Sequence, residues 1–75
     1  MARYFFHVKD GINYPDTVGS DLASDDEAKQ EAVLAAGEML RNRARPHWKD
    51  HDWQMHVTNA EGMTVFRLIF SVNCE

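Results

Sequence analysis

With 75 residues, 44% of them hydrophobic, the chain has room for one small domain spanning 1–75 with a modest core, and no room for a second. A formal net charge of −4 disfavours nucleic acid as a partner, because phosphate binding needs a strong positive field. A single cysteine, Cys74, excludes an intrachain disulfide. The absence of a signal-like or membrane-length apolar run leads to the expectation of a cytoplasmic protein with no membrane contact.

The first block, Arg3-Tyr4-Phe5-Phe6-His7-Val8-Lys9, alternates with period two and is rich in aromatic residues. That pattern predicts a strand with Tyr4, Phe6 and Val8 toward the core. Asp10-Gly11 supplies hairpin turn chemistry, and Ile12 to Tyr14 reads as a short returning strand. Pro15 has no N–H for a ladder, which keeps that strand short or at an edge. Gly19 marks another turn, with Leu22 anchoring the loop that follows.

Ser24-Asp25-Asp26-Glu27 is a capping box. The Ser24 hydroxyl is positioned to accept from the Glu27 N–H, and the Glu27 carboxylate to accept from the Ser24 N–H. The predicted helix runs from there to about Arg45 and stops at Pro46. Ala28, Ala32, Ala35, Ala36 and Met39 form its core stripe, widened by Val33, Leu40 and Ala44. Acidic residues gather at its start and Arg41, Arg43 and Arg45 at its end, as the helix dipole favours.

Trp53–Thr58 and Thr64–Ser71 form the last hairpin. A three-residue loop would pair Val57 with Val65 and put Arg67 on the side of Trp53, Met55 and Val57. A four-residue loop ending on Gly62 would pair Met55 with Phe66 and Trp53 with Leu68. Then Trp53, Met55, Val57, Phe66, Leu68 and Phe70 share one face. A slip of one residue flips every side chain, so burial selects the four-residue loop. The expected fold is α+β in β-β-α-β-β order. Two antiparallel hairpins make a sheet of up to four strands, with one long helix on one face.

Arg3-Tyr4-Phe5-Phe6-His7-x-x-Asp10-Gly11 resembles the opening of a family of short bacterial proteins defined only as a domain of unknown function. Asp16 and Gly19 resemble the family's next loop, and Glu27-Ala28-x-x-x-Ala32 its helix start. Val57-Thr58-Asn59-Ala60-Glu61-Gly62 and Phe70 resemble its final hairpin, with Asn59 where an Asp is usual. The resemblance spans nearly the whole chain. It implies this fold and implies no activity.

Candidate sites are few. His47 and His51 stand four apart beside Asp50 and Asp52, a spacing that suits metal ligands on a helix. They follow Pro46 in a polar loop without a third ligand, so no metal and no cofactor are expected. Arg41, Arg43, Arg45 and Lys49, with Trp48 among them, have the composition of a nucleic-acid patch. Dipole compensation accounts for the same residues. No nucleophile lies in a catalytic context, and no enzyme activity is expected.

The uncovered sheet face is the remaining candidate. It should carry Phe5, His7, His56, Val65, Arg67 and Ile69, with Gln54 beside them. An apolar centre with a polar rim is interface composition. The expected function is protein interaction, with the chain itself as a homodimer or with another protein. An antitoxin-like nucleic-acid regulator and a small histidine metal site are the alternatives.

Overall fold

The computed structural model describes residues 1–43 and 53–71. Within them run β1 (Ala2–Asp10), β2 (Ile12–Tyr14), β3 (Ser20–Leu22), α1 (Asp25–Arg43), β4 (Trp53–Thr58) and β5 (Thr64–Phe70). All strand pairs are antiparallel, and one helix packs on one face of the sheet, so the architecture is α+β as expected. No helix among the described residues is long and apolar enough to cross a membrane.

The strand count and order need correcting. The sheet has five strands, in the order β2-β1-β4-β5 with β3 also on β1. β2 and β3 share one edge of β1: Val8, Lys9 and Asp10 pair with Tyr14, Asn13 and Ile12, while Ala2, Arg3 and Tyr4 pair with Leu22, Asp21 and Ser20. The extra strand, Ser20-Asp21-Leu22, is too short to show alternation. It is held by its partner and by the Arg3–Asp21 ion pair at 3.2 Å.

Period two sorts β1 as predicted. Tyr4 is buried, and Phe6 and Val8 pack against the core. Directly opposed residues share a face. Val57, Met55 and Trp53 therefore join Phe6, Val8 and Asp10 on the helix side, and Phe66, Leu68 and Phe70 follow across β5. That is the face set expected from burial. The register is not the one expected: Met55 opposes Leu68 and Trp53 opposes Phe70. A shift between Val57 and Thr58 produces the difference, because Thr58 pairs with Thr64 but Val57 pairs with Phe66. The extra residue is Val65. It packs against the core, which removes it from the outer face where it was expected. The loop is closed by Asn59, whose side-chain oxygen accepts from the Glu61 and Met63 N–H groups, and by Gly62 at φ 81°.

The helix starts where the capping box put it. The Glu27 N–H donates to Ser24 Oγ at 3.2 Å, but the Glu27 carboxylate accepts from the Ala23 N–H, one residue earlier than expected. Ala28, Ala32 and Ala36 are fully buried against Tyr4, Trp53, Met55 and Val57. Alanine lets the helix lie close on the sheet, and the sheet supplies the bulk. Val33 and Met39 leave the expected stripe and are exposed. Val33 sits about 140° around the helix from Ala28, beyond the contact sector. Tyr4 ties the first strand to the helix start by donating its hydroxyl to Asp25 Oδ1 at 2.5 Å. That bond, burial and the Asp25 charge push the phenol pKa upward. Described helix ends at Arg43; Ala44, Arg45 and Pro46 lie outside the described residues.

Candidate functional site

The outer face of the sheet is read from the register. Phe5, Thr58 and Thr64 form one row, His7, His56 and Arg67 the next, and Lys9, Gln54 and Ile69 the third, with Asn13 beside Lys9. The sequence suggested an apolar centre with a polar rim. The structure has the reverse: two imidazoles and a guanidinium hold the middle row, and Phe5 and Ile69 stand at opposite corners.

Phe5 is covered in part by its own chain. The loop between β2 and β3 folds back over β1, and Gly19 rests on Phe5: a Cβ there would stand 2.9 Å from Phe5 Cε1 and from the Tyr4 carbonyl oxygen. With φ at 77° as well, only glycine suits this position. Ile69 is exposed, at 57% of its surface.

Asp16 organises that loop. Its Oδ1 accepts from the N–H groups of Val18 and Gly19, each at 3.0 Å, and its Oδ2 from the Phe6 N–H at 3.1 Å. The carboxylate therefore takes the Phe6 N–H in the gap between β2 and β3, where no strand residue does. Burial alone would raise the Asp16 pKa. The donors from Phe6, Gly19 and Val18, with the charge of His7, outweigh it and hold the carboxyl below its ordinary value. The family resemblance pointed to Asp16 and Gly19 as a loop pattern but not to this role. The spacing Asp-x-x-Gly before a strand is the signal that carried it.

His7 is locked. Its Nδ1 accepts from the Asp16 backbone N–H at 3.0 Å, so the neutral ring carries its proton on Nε2, which is 3.1 Å from Thr58 Oγ1. Phe5 stacks against it at 6.3 Å. His56 lies 6.0 Å away, ring centre to ring centre, with Nε2 2.6 Å from Thr64 Oγ1. Burial first, then the charges of Arg67 and His7, push the His56 pKa below that of a free imidazole. Its Nδ1 makes no hydrogen bond among the described residues. Beside this pair opens a cavity of ≈ 430 Å³, lined by His7, Lys9, Asn13, Gln54, His56 and Arg67 among others.

A family model described as Domain of unknown function (DUF6894) matches residues 3–71. The chain belongs to the DUF6894 family. No curated protein and no solved structure matches it. Membership bears out the expectation of a domain of unknown function and assigns no chemistry to any residue.

Of the residues singled out in sequence, this DUF6894 chain brings Phe5, His7, His56, Arg67 and Ile69 onto one face and takes Val65 to the other. Arg41 is exposed. The Arg43 side chain, and all of Arg45, His47, Lys49, His51 and Cys74, lie outside the described residues. Among the described residues no group of three or more His, Cys, Asp or Glu side chains is placed to hold a metal ion. Lys9, Asn13 and Thr58 are outer-face residues that sequence reasoning passed over. Pairing against β2 and β4 brings them to the site, and pairing is not visible in a single strand's pattern.

Proposed function

We propose that the chain is a non-enzymatic protein-interaction module that associates with a second copy of itself through β5 and the sheet face beside it. The open edge of β5 carries this reading: among the described residues no strand pairs with its outer side. β5 is seven residues long. Its last two residues, Ile69 and Phe70, are 57% and 44% exposed. An edge of that length with apolar side chains is a template for another strand. Antiparallel pairing centred on Ile69 sets the two Ile69 side chains together and leaves each Arg67 opposite Ser71, which keeps the cations apart. Such a contact is isologous and closes on itself. It also adds buried surface to a domain too small to bury much alone.

The non-enzymatic part rests on the histidines. His7 cannot act as a base through Nδ1, which already accepts the Asp16 N–H, and its Nε2 carries the proton. His56 meets Thr64, but among the described residues no carboxylate orients its Nδ1, so the pair there lacks the third group that a nucleophilic hydroxyl needs. Nucleic-acid binding through Arg41, Arg43, Arg45 and Lys49 is the weaker reading, because the net charge of −4 opposes it and helix-dipole compensation explains the arginines.

Size-exclusion chromatography with light scattering, at high micromolar concentration, tests the reading. A dimer is expected, and Ile69→Lys should give a folded monomer. A wild-type monomer, or a dimer that Ile69→Lys leaves intact, overturns it.

A further inference from the structure

We propose that the cavity on the outer face is an anion-binding site that takes a phosphate or carboxylate group between Lys9, Arg67 and His56. The argument is the composition of the wall. In a chain with 12 acidic and 8 Lys or Arg residues, the cavity is lined by Lys9, Arg67 and both imidazoles and by no Asp or Glu. Among the described residues neither Lys9 nor Arg67 makes an ion pair; the ion pair there is Arg3 with Asp21. Acidic partners are plentiful in this sequence, yet among the described residues these two cations have none, and both line one concavity.

Three strands build the site. Lys9 comes from β1, His56 and Gln54 from β4, and Arg67 from β5, with Asn13 of β2 closing the side next to Lys9. His7 acts as a fixed wall, since both its ring nitrogens are engaged. His56 is held by Thr64 through Nε2, which leaves Nδ1 for the ligand. Protonated, that edge donates a charge-assisted hydrogen bond, and the two amides of Asn13 and Gln54 supply neutral donors. A volume of ≈ 430 Å³ exceeds a bare oxyanion and suits a small organic molecule carrying one.

Protonation and binding are linked. The groups facing His56 are His7 and Lys9 from β1 and Arg67 and the Thr64 hydroxyl from β5, and the Asp16 carboxylate reaches this cluster only through His7. Burial first, then the charges of Arg67 and His7, make His56 resist a proton. An anion reverses that balance, so affinity rises as pH falls through the His56 titration. The cavity lies on the sheet face beside β5, and its test reads anion binding by side-chain signals, not oligomeric state, so failure of one leaves the other standing.

NMR titration of the full chain with sodium sulfate and with inorganic phosphate, at ionic strength matched by sodium chloride, is the decisive experiment. Saturable shifts of the His56 ring and of the Lys9 and Arg67 side-chain signals are expected, and sulfate, whose charge is constant in this range, should bind tighter at about pH 6 than at about pH 8. Lys9→Gln and Arg67→Gln, both surface changes that leave the amide spectrum folded, should each weaken binding roughly tenfold through loss of a charge-assisted bond. Acetate and methyl phosphate arms then assign the group: saturation by one in preference to the other identifies carboxylate or phosphate. Shifts that chloride reproduces, that never saturate, or that both glutamine variants retain at full affinity overturn the site.

Discussion

Removal of the Asp16 carboxylate is the sharpest test of how this sheet is held together. Its Oδ2 satisfies the Phe6 N–H, and its Oδ1 satisfies Val18 and Gly19. In Asp16→Ala the three donors lose their acceptor, but not at equal cost. Val18 is exposed, so water replaces the carboxylate there. The Phe6 N–H sits in the gap between two edge strands, and the Gly19 N–H lies against β1, where water enters poorly. A bond to a charged acceptor contributes about 1.5–3 kcal/mol when shielded. Two partly shielded bonds in this half-exposed loop should therefore cost about 2–3 kcal/mol together. Asp16→Asn should fall between wild type and alanine, because its single carbonyl oxygen can serve one side of the loop only. Urea denaturation followed by far-UV circular dichroism measures the loss, and hydrogen exchange at the Phe6 amide localises it. The same carboxylate predicts an acid limb. Its folded pKa lies below the unfolded 3.8, so the unfolded chain takes up the proton first as pH falls. The stabilisation is whole above the unfolded value and is lost as pH drops through the folded one. A stability change under about 0.5 kcal/mol, the range of ordinary surface substitutions, would refute the role given to Asp16, as would an acid limb unchanged in Asp16→Ala.

Other substitutions test neighbouring claims. Ser24→Ala should lose about 1 kcal/mol with the helix cap, read from the denaturation midpoint. Gly19→Ala and Gly62→Ala form a matched pair, since both glycines have positive φ but a Cβ at Gly62 meets open space. The first should cost about 2 kcal/mol or more and the second about 1 kcal/mol, and equal losses would contradict the packing of Gly19 on Phe5. Met55→Ala, at a fully buried position, should cost about 3 kcal/mol and remove most of the stability of so small a domain.

The parts of this fold legible in sequence were those written locally. Tyr4-Phe6-Val8 alternation, the Ser24–Glu27 cap, the buried Ala28-Ala32-Ala36 stripe and the positive-φ glycines each depend on residues a few places apart. What stayed hidden depends on pairing across the chain. Ser20-Asp21-Leu22 becomes a strand only because β1 offers it an edge. Val65 turns inward because a bulge absorbs the mismatch between the Asn59 turn and the burial of Phe66. The outer face was identified as the surface of interest, but its layout was inverted, since lateral order decides which outward residues meet. His7 and His56 became neighbours only once β1 lay beside β4.

The two margins of the sheet are unlike. One is made of two three-residue strands with a folded loop and a carboxylate set between them. The other is β5, seven residues long with the Val65 bulge near its start, and among the described residues no strand pairs with its outer side. On the first margin the Asp16 carboxylate already accepts the Phe6 N–H of β1, so that donor is closed to any incoming strand. If the chain self-associates as proposed, β5 is the longer template it has to offer, and Asp16 narrows the choice of edge from the far side of the sheet.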